Sequence, residues 1–314
     1  MIMIKHLFPA LLLGAAVVLG PIAANAPAFA LSEELQAYIG DEPVLFDTPE
    51  AAVAAFKDTM AKGDLAAVAR LLGLDPDKLA KAEGIAAKMD ELRTTAAELV
   101  TVDEEGDQQI LNLGRQLWPF PFPLVKGEDG KWAFDTVAGI EEVIIRRVGE
   151  NELQAIETMR LYVQAQQDYA AEDRDADGVL EYAQKLLSTE GQTDGLYWPI
   201  AQGDGESPFG PNLDPSAIEK AKAGDGYFGY RYRILRRQGE RVAGGAYDYV
   251  INGNMIGGFA LIAWPVRYAE SGVHTFVVNH AGIVYEKDFG FDTANIVEKI
   301  KSFNPGDSWQ VMED

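Results

Sequence analysis

The sequence predicts an α+β protein: a helical N-terminal part with a small hairpin, then a long helix and an antiparallel β-meander. Three observations carry that reading. Residues 47–99 hold short apolar-periodic stretches bounded by Asp-Thr-Pro, Gly-Asp and Asp-Pro, residues 139–171 form one long helical pattern, and residues 227–288 alternate apolar and polar positions between turn residues. Helices that precede and follow a run of strands indicate α+β, because a meander needs one face covered and its strands need only short turns.

The chain opens with Lys5, an apolar stretch over 7–19 and a small-residue segment ending Ala28-Phe29-Ala30. That order is the layout of a secretory signal peptide. The apolar run is shorter than the roughly 20 residues a membrane helix needs. The expectation is a periplasmic or secreted product, cleaved near Ala30, with no stable membrane span after processing. The organisation expected is a signal peptide over 1–30, a helical-plus-hairpin unit over 31–138, and a unit over 139–314 with the long helix, an acidic loop and the meander.

Asp47-Thr48-Pro49 places a cap and a first-turn proline before Val53, Phe56 and Met60, and Gly63 can stop that helix. Asp64 opens a second helix carrying Leu65, Val68 and Leu72. Asp75-Pro76 opens a third, in which Leu79, Met89, Leu92 and Leu99 recur near helical spacing, with Gly84 as an interruption. Trp118-Pro119-Phe120-Pro121-Phe122-Pro123 is extended by its prolines, and the turn over 127–130 leads to Lys131-Trp132-Ala133-Phe134. This reads as a hairpin at a sheet edge, where proline is tolerated. In the long helix Ala155, Ile156, Met159, Tyr162, Val163 and Ala170 lie near one face. A short helix is expected over 180–187, then a Gly-, Pro- and Asp-rich loop with Gly195-Leu196-Tyr197-Trp198-Pro199 at its aromatic centre. The meander strands are punctuated by Asn252-Gly253 and Ala281-Gly282, and a helix over 293–302 covers them.

Composition excludes several function classes. The sequence has no cysteine, so a lipid-modified cysteine, disulfides, thiolate catalysis and Cys-based zinc sites are all out. Its 49 acidic against 27 basic residues give a net charge of −22, a field that repels nucleic acid and anionic surfaces and attracts divalent cations. No nucleic-acid partner is expected.

The main candidate site is Asp173-Arg174-Asp175-Ala176-Asp177-Gly178, followed by Glu181. Calcium takes oxygen ligands, and an EF-hand loop supplies them from positions 1, 3, 5, 7 and 9 around a glycine at position 6. Those positions fall on Asp173, Asp175, Asp177, the Val179 carbonyl and Glu181. Position 12 is Gln184 in place of a bidentate glutamate, which predicts modest affinity. The other reading is a solvated connector in which the same residues form Asx-turns and cap the next helix.

The remaining residues do not form a recognisable catalytic motif. His274 and His280 stand without an H-E-x-x-H or an assembled triad, and no G-x-S-x-G or phosphate-binding glycine loop occurs. Hydrolysis by paired carboxylates needs only two acidic groups at suitable separation. Glu181, Asp194 and Asp204, near Tyr197 and Trp198, are the candidates.

Five segments together carry a family resemblance. They are Phe46-Asp47-Thr48-Pro49-Glu50-Ala51-Ala52, Gly149-Glu150-Asn151-Glu152, Asp194-Gly195-Leu196-Tyr197-Trp198-Pro199, Gly229-Tyr230-Arg231-Tyr232-Arg233-Ile234-Leu235 and Gly257-Gly258-Phe259-Ala260-Leu261-Ile262-Ala263-Trp264-Pro265. In this combination the chain resembles the exported bacterial domain-of-unknown-function family 2950, which implies a compartment but no reaction. A second resemblance runs through the long helix, the acidic loop and Gly272-Val273-His274-Thr275-Phe276-Val277-Val278, whose order is similar to the globular part of pilin-like proteins. The assembling N-terminal helix of a pilin is replaced here by the signal-peptide layout. Residues 48–136 are similar to small helix-plus-sheet folds of the nuclear-transport-factor-like type, by fold analogy alone.

The function expected is a non-enzymatic cell-envelope module, binding or structural and calcium-stabilised, with an envelope protein or polymer as partner. The alternative is a hydrolase acting on envelope polysaccharide or peptidoglycan. A carrier of small apolar or sugar ligands would need a cavity in the N-terminal part.

Overall fold

A computed structural model describes residues 31–202 and 204–312, and its first helices start where side chains cap free amides. The signal-peptide segment lies outside the described residues. After the short α1 (Glu33–Gln36), α2 (Pro49–Lys62) begins with the Thr48 hydroxyl accepting the Ala51 amide and ends at Gly63 in the left-handed conformation. Asp64 caps α3 (Leu65–Leu71), and Asp75 caps α4 (Pro76–Lys81). Gly84, at φ +71°, separates α4 from α5 (Ile85–Glu98), so the stretch read as one interrupted helix is two. Leu99 is extended and leads into a strand.

That strand, β1 (Val100–Glu105), pairs with β2 (Gln108–Leu113), and the expected small hairpin is thereby part of a five-stranded antiparallel sheet. The proline-rich stretch runs along β2 as two short pieces, β3 (Trp118–Pro119) and β4 (Leu124–Lys126), since prolines cannot donate to a continuous ladder. β5 (Trp132–Phe134) completes it against β4. Ala52, Phe56 and Met60 of α2 meet Leu111, Leu113, Phe120 and Phe134 in a first core.

The helix α6 (Thr136–Tyr169), capped by Asp135, runs 34 residues, or about 50 Å at 1.5 Å per residue. It belongs to both cores. Ile140 and Ile144 pack on the first, while Ala155, Ile156, Met159, Tyr162, Ala165 and Tyr169 pack on the second. Val163 and Ala170, expected on the buried face, are only partly covered. Gly139 lets the helix backbone rest on Phe122, because a Cβ there would lie 2.0 Å from its ring.

Past α7 (Pro215–Ala223), the second sheet is the expected meander. Its order is β14-β13-β12-β11-β6, all antiparallel, from β6 (Tyr230–Leu235), β11 (Ala260–Pro265), β12 (His274–Asn279), β13 (Tyr285–Asp288) and β14 (Gln310–Val311). Two small ribbons stand beside it: β7 (Arg237–Gln238) with β8 (Tyr247–Asp248), and β9 (Val250–Ile251) with β10 (Asn254–Met255), the latter turning at Asn252-Gly253 as its left-handed residues require. α8 (Thr293–Lys299) covers the sheet through Val297, and Arg233 of β6 donates to the Val297 and Ile300 carbonyls at its C-terminal end. Among the described residues no helix is long and apolar enough to cross a membrane.

Candidate metal loop and the polar cleft beside it

α6 delivers the chain into the acidic loop, which its own side chains shape. The Gly178 amide donates to Asp173 Oδ2 at 2.9 Å, the Val179 amide to Asp177 Oδ1 at 2.8 Å, and the Asp177 amide to Asp175 Oδ1 at 3.3 Å. Ala176 (φ +60°) and Gly178 (φ +87°) take the left-handed conformation, which costs a non-glycine residue on the order of 1 kcal/mol. The result gathers Asp173, Asp175 and Asp177, each offering an oxygen within 4.8 Å of the others, all exposed. Arg174 is folded away from them. Its guanidinium stacks over Tyr169 and Trp198, its Nε donates to the Tyr169 carbonyl, and its partner is Glu172.

The second half of the expected ligand set behaves differently. Glu181 Oε2 accepts the Met255 amide at 2.9 Å, and Glu181 is not among the gathered carboxylates. Gln184 Nε2 donates to the Gly253 carbonyl at 2.6 Å, and Asn254 Nδ2 to Asp177 Oδ2 at 2.7 Å. Residues 177–184 are zipped onto the β9–β10 ribbon. The helix expected over 180–187 is absent, a correction with a plain cause: the backbone polar groups are satisfied tertiarily. Tyr182 N donates to Met255 O, and Leu196 and Tyr197 donate to the Lys185 and Leu186 carbonyls. Buried Gln166 of α6 pairs with both the N–H and the C=O of Ala183, at 2.8 and 2.9 Å. The three gathered carboxylates offer fewer than the six to eight oxygens calcium takes.

Behind the loop lies a polar cleft of about 550 Å³, lined among others by Tyr169, Arg174, Asp175, Glu181, Lys185 and Asp194. Glu181 and Asp194 therefore share one cavity, while Asp204 pairs with Gln202 and does not line it. Burial opposes charge on Asp194, but bonds from Lys185 and from the Thr189 amide and hydroxyl outweigh it and hold the carboxyl below its ordinary value. A general acid needs the opposite displacement. Burial pushes the Tyr169 phenol up to about 12. Trp198 is 2% exposed with its Nε1 donating to the Gly205 carbonyl, so it is core and not an open stacking platform.

His274, which no sequence motif pairs with a carboxylate, meets Glu152 of α6 in space. Its Nδ1 lies 3.3 Å from both Glu152 oxygens, and Glu152 Oε1 also accepts the Val273 and His274 amides at 2.7 and 2.9 Å. Tyr230 donates to the His274 carbonyl at 2.9 Å. Burial disfavours charge on Glu152, yet these bonds prevail and lower its pKa, while the bond to Glu152 raises that of His274. With Asn151 donating to the Ser271 carbonyl, the cluster pins the middle of α6 to the start of β12. His280 is exposed and packs edge-on against Tyr249 and Phe259, with no acidic partner among the described residues.

A family model described as "Protein of unknown function (DUF2950)" matches residues 44–312. No curated protein and no solved structure matches the chain, so the likeness to pilin globular domains rests on element order alone.

Proposed function

The chain belongs to the DUF2950 family, and we propose that it is an exported cell-envelope protein acting as a non-enzymatic binding or structural module stabilised by calcium at Asp173, Asp175, Asp177 and the Val179 carbonyl. The observation that carries this reading is the convergence of the three carboxylates on one exposed point while Arg174 is held aside. Export is supported by the order of Lys5, the apolar stretch and Ala28-Phe29-Ala30. An acidic chain at −22 concentrates divalent cations around itself, which favours occupancy of a weak site.

Calcium in this loop would act on stability. The loop joins α6 to the β9–β10 ribbon through Asp177, Glu181 and Gln184, so an ion bound only by the folded form stabilises that junction. At a hundred times its Kd, such a ligand adds about 2.7 kcal/mol. The test is thermal unfolding of chelator-treated protein with and without millimolar calcium. A rise of several degrees is expected, and coincident curves would make the loop a connector.

A hydrolase is the second reading, favoured by Glu181 and Asp194 lining one cleft. Incubation with peptidoglycan and analysis of soluble products separates the two. The module reading predicts no released fragment.

A further inference from the structure

A different cleft brings two arginines together with two carboxylates. Five arginines fall between positions 231 and 241, with Glu240 the single acidic residue among them. Arg237 and Arg241 line an open cleft of about 620 Å³ together with Glu240, Tyr247, Asp248 and Asn304. That volume suits a small polar ligand. The cleft sits where the β7–β8 ribbon meets the segment after α8: Phe303 donates to the Arg237 carbonyl and Gly239 to the Phe303 carbonyl, both at 2.9 Å.

Its walls are fixed from behind. Gln238, 3% exposed, donates to the Ala243 and Gly245 carbonyls and accepts the Tyr249 hydroxyl, so the 239–246 turn is braced by one saturated amide. Asn304 Oδ1 accepts the Arg241 amide at 2.9 Å. Two glycines make the room: a Cβ on Gly239 would lie 2.3 Å from Asn304 Cγ, and one on Gly306 would lie 2.7 Å from Arg241 Nη1. The Arg241 side chain therefore lies along the Gly306 backbone, and no ion pair is found for it among the described residues. Arg237 engages Asp248 through Nε at 3.0 Å. Tyr247 is 39% exposed, braced edge-on by Tyr249.

We propose that this cleft binds a charged sugar, with Arg241 and Arg237 holding its carboxylate or phosphate and Tyr247 flanking its ring. Guanidinium forks match both oxyanions in two-point geometry, while an aromatic face suits the apolar side of a pyranose. The field of a molecule at −22 repels anions at long range. An anion therefore gains affinity here only from the local arginines, and binding will depend little on the calcium loop.

The test is calorimetric titration of the whole chain with glucuronate, glucose 6-phosphate, glucose and inorganic phosphate. Either or both charged sugars should bind saturably, with glucose and inorganic phosphate at least about tenfold weaker, a gap of about 1.4 kcal/mol. The tighter of the two identifies the source as a uronic-acid or a phosphate-bearing glycan. R241Q, and separately G306A, which crowds Arg241 without removing charge, should each weaken binding about tenfold or more. Absence of binding by both charged sugars, equal binding of glucose or free phosphate, or indifference to R241Q would each overturn the proposal.

Discussion

The two cores that share α6 are held in different ways. In the first, order comes from neighbours in sequence: Thr48, Asp64 and Asp75 cap their own helices, and Phe56, Phe120 and Phe134 fill the space between helices and sheet. In the second, single polar side chains reach far along the chain to saturate backbone groups. Gln166 holds Ala183, Glu152 holds Val273 and His274, and Arg233 holds the end of α8. Such bonds fix irregular segments where regular ladders cannot, and both clefts lie among them. The lesson is that a stretch of irregular chain can be as firmly placed as a helix when its polar groups are answered from elsewhere.

The contrast can be broken most severely in the first core. F56A removes a fully buried ring packed on two others, a loss of about 3–5 kcal/mol. Because α6 runs through both cores, denaturant curves should shift as one transition; two separated transitions would show the cores unfolding independently. In the second core Q166L should cost about 2–4 kcal/mol by leaving the Ala183 amide and carbonyl unanswered. Hydrogen exchange at Ala183 should accelerate with it, while amides of α2 keep their protection. A smaller change, T48A, deletes one cap at an exposed helix start, with about 1 kcal/mol expected from urea midpoints.

The finest distinction is in pH. The lowered carboxyl of Glu152 contributes stability that is present above its unfolded value of 4.5 and lost as pH falls through the folded value. The raised His274 contributes stability fully present below its unfolded value of 6.5 and lost as pH rises through the higher folded one. The pair therefore helps most between about pH 4.5 and 6.5, by somewhat under 1 kcal/mol given the partial exposure of His274. Glu286 and Asp288 of β13, and the Tyr230 hydroxyl, also bear on these two groups. Urea midpoints at pH 5.5 and 8.5 should differ more for the native chain than for H274N, and equal differences would remove the pair as the cause.

How much of this was legible in sequence follows the same divide. Helix starts at Thr48, Asp64 and Asp75 were readable because a cap acts within three residues. The meander was readable from its alternating strands and the Ala281-Gly282 turn between β12 and β13, whereas the Asn252-Gly253 turn, expected within the meander, closes the β9–β10 ribbon beside it. β1 was missed because Asp103, Glu104 and Glu105 face solvent, which leaves little apolar alternation to detect. The helix expected over 180–187 failed because Gln166, Met255 and the 195–197 segment take up its backbone groups. Of the metal candidates, Asp173, Asp175 and Asp177 converge while Glu181 turns to Met255. The approach of Glu152 to His274, 122 positions apart, leaves no local mark.

The most direct test of the account is calorimetric titration of calcium into chelator-treated protein, with D175A alongside. The account predicts saturable binding of modest affinity in the native chain and its loss in the variant. Absence of binding, or equal heats from both proteins, would contradict a calcium loop and leave residues 173–178 as a solvated connector.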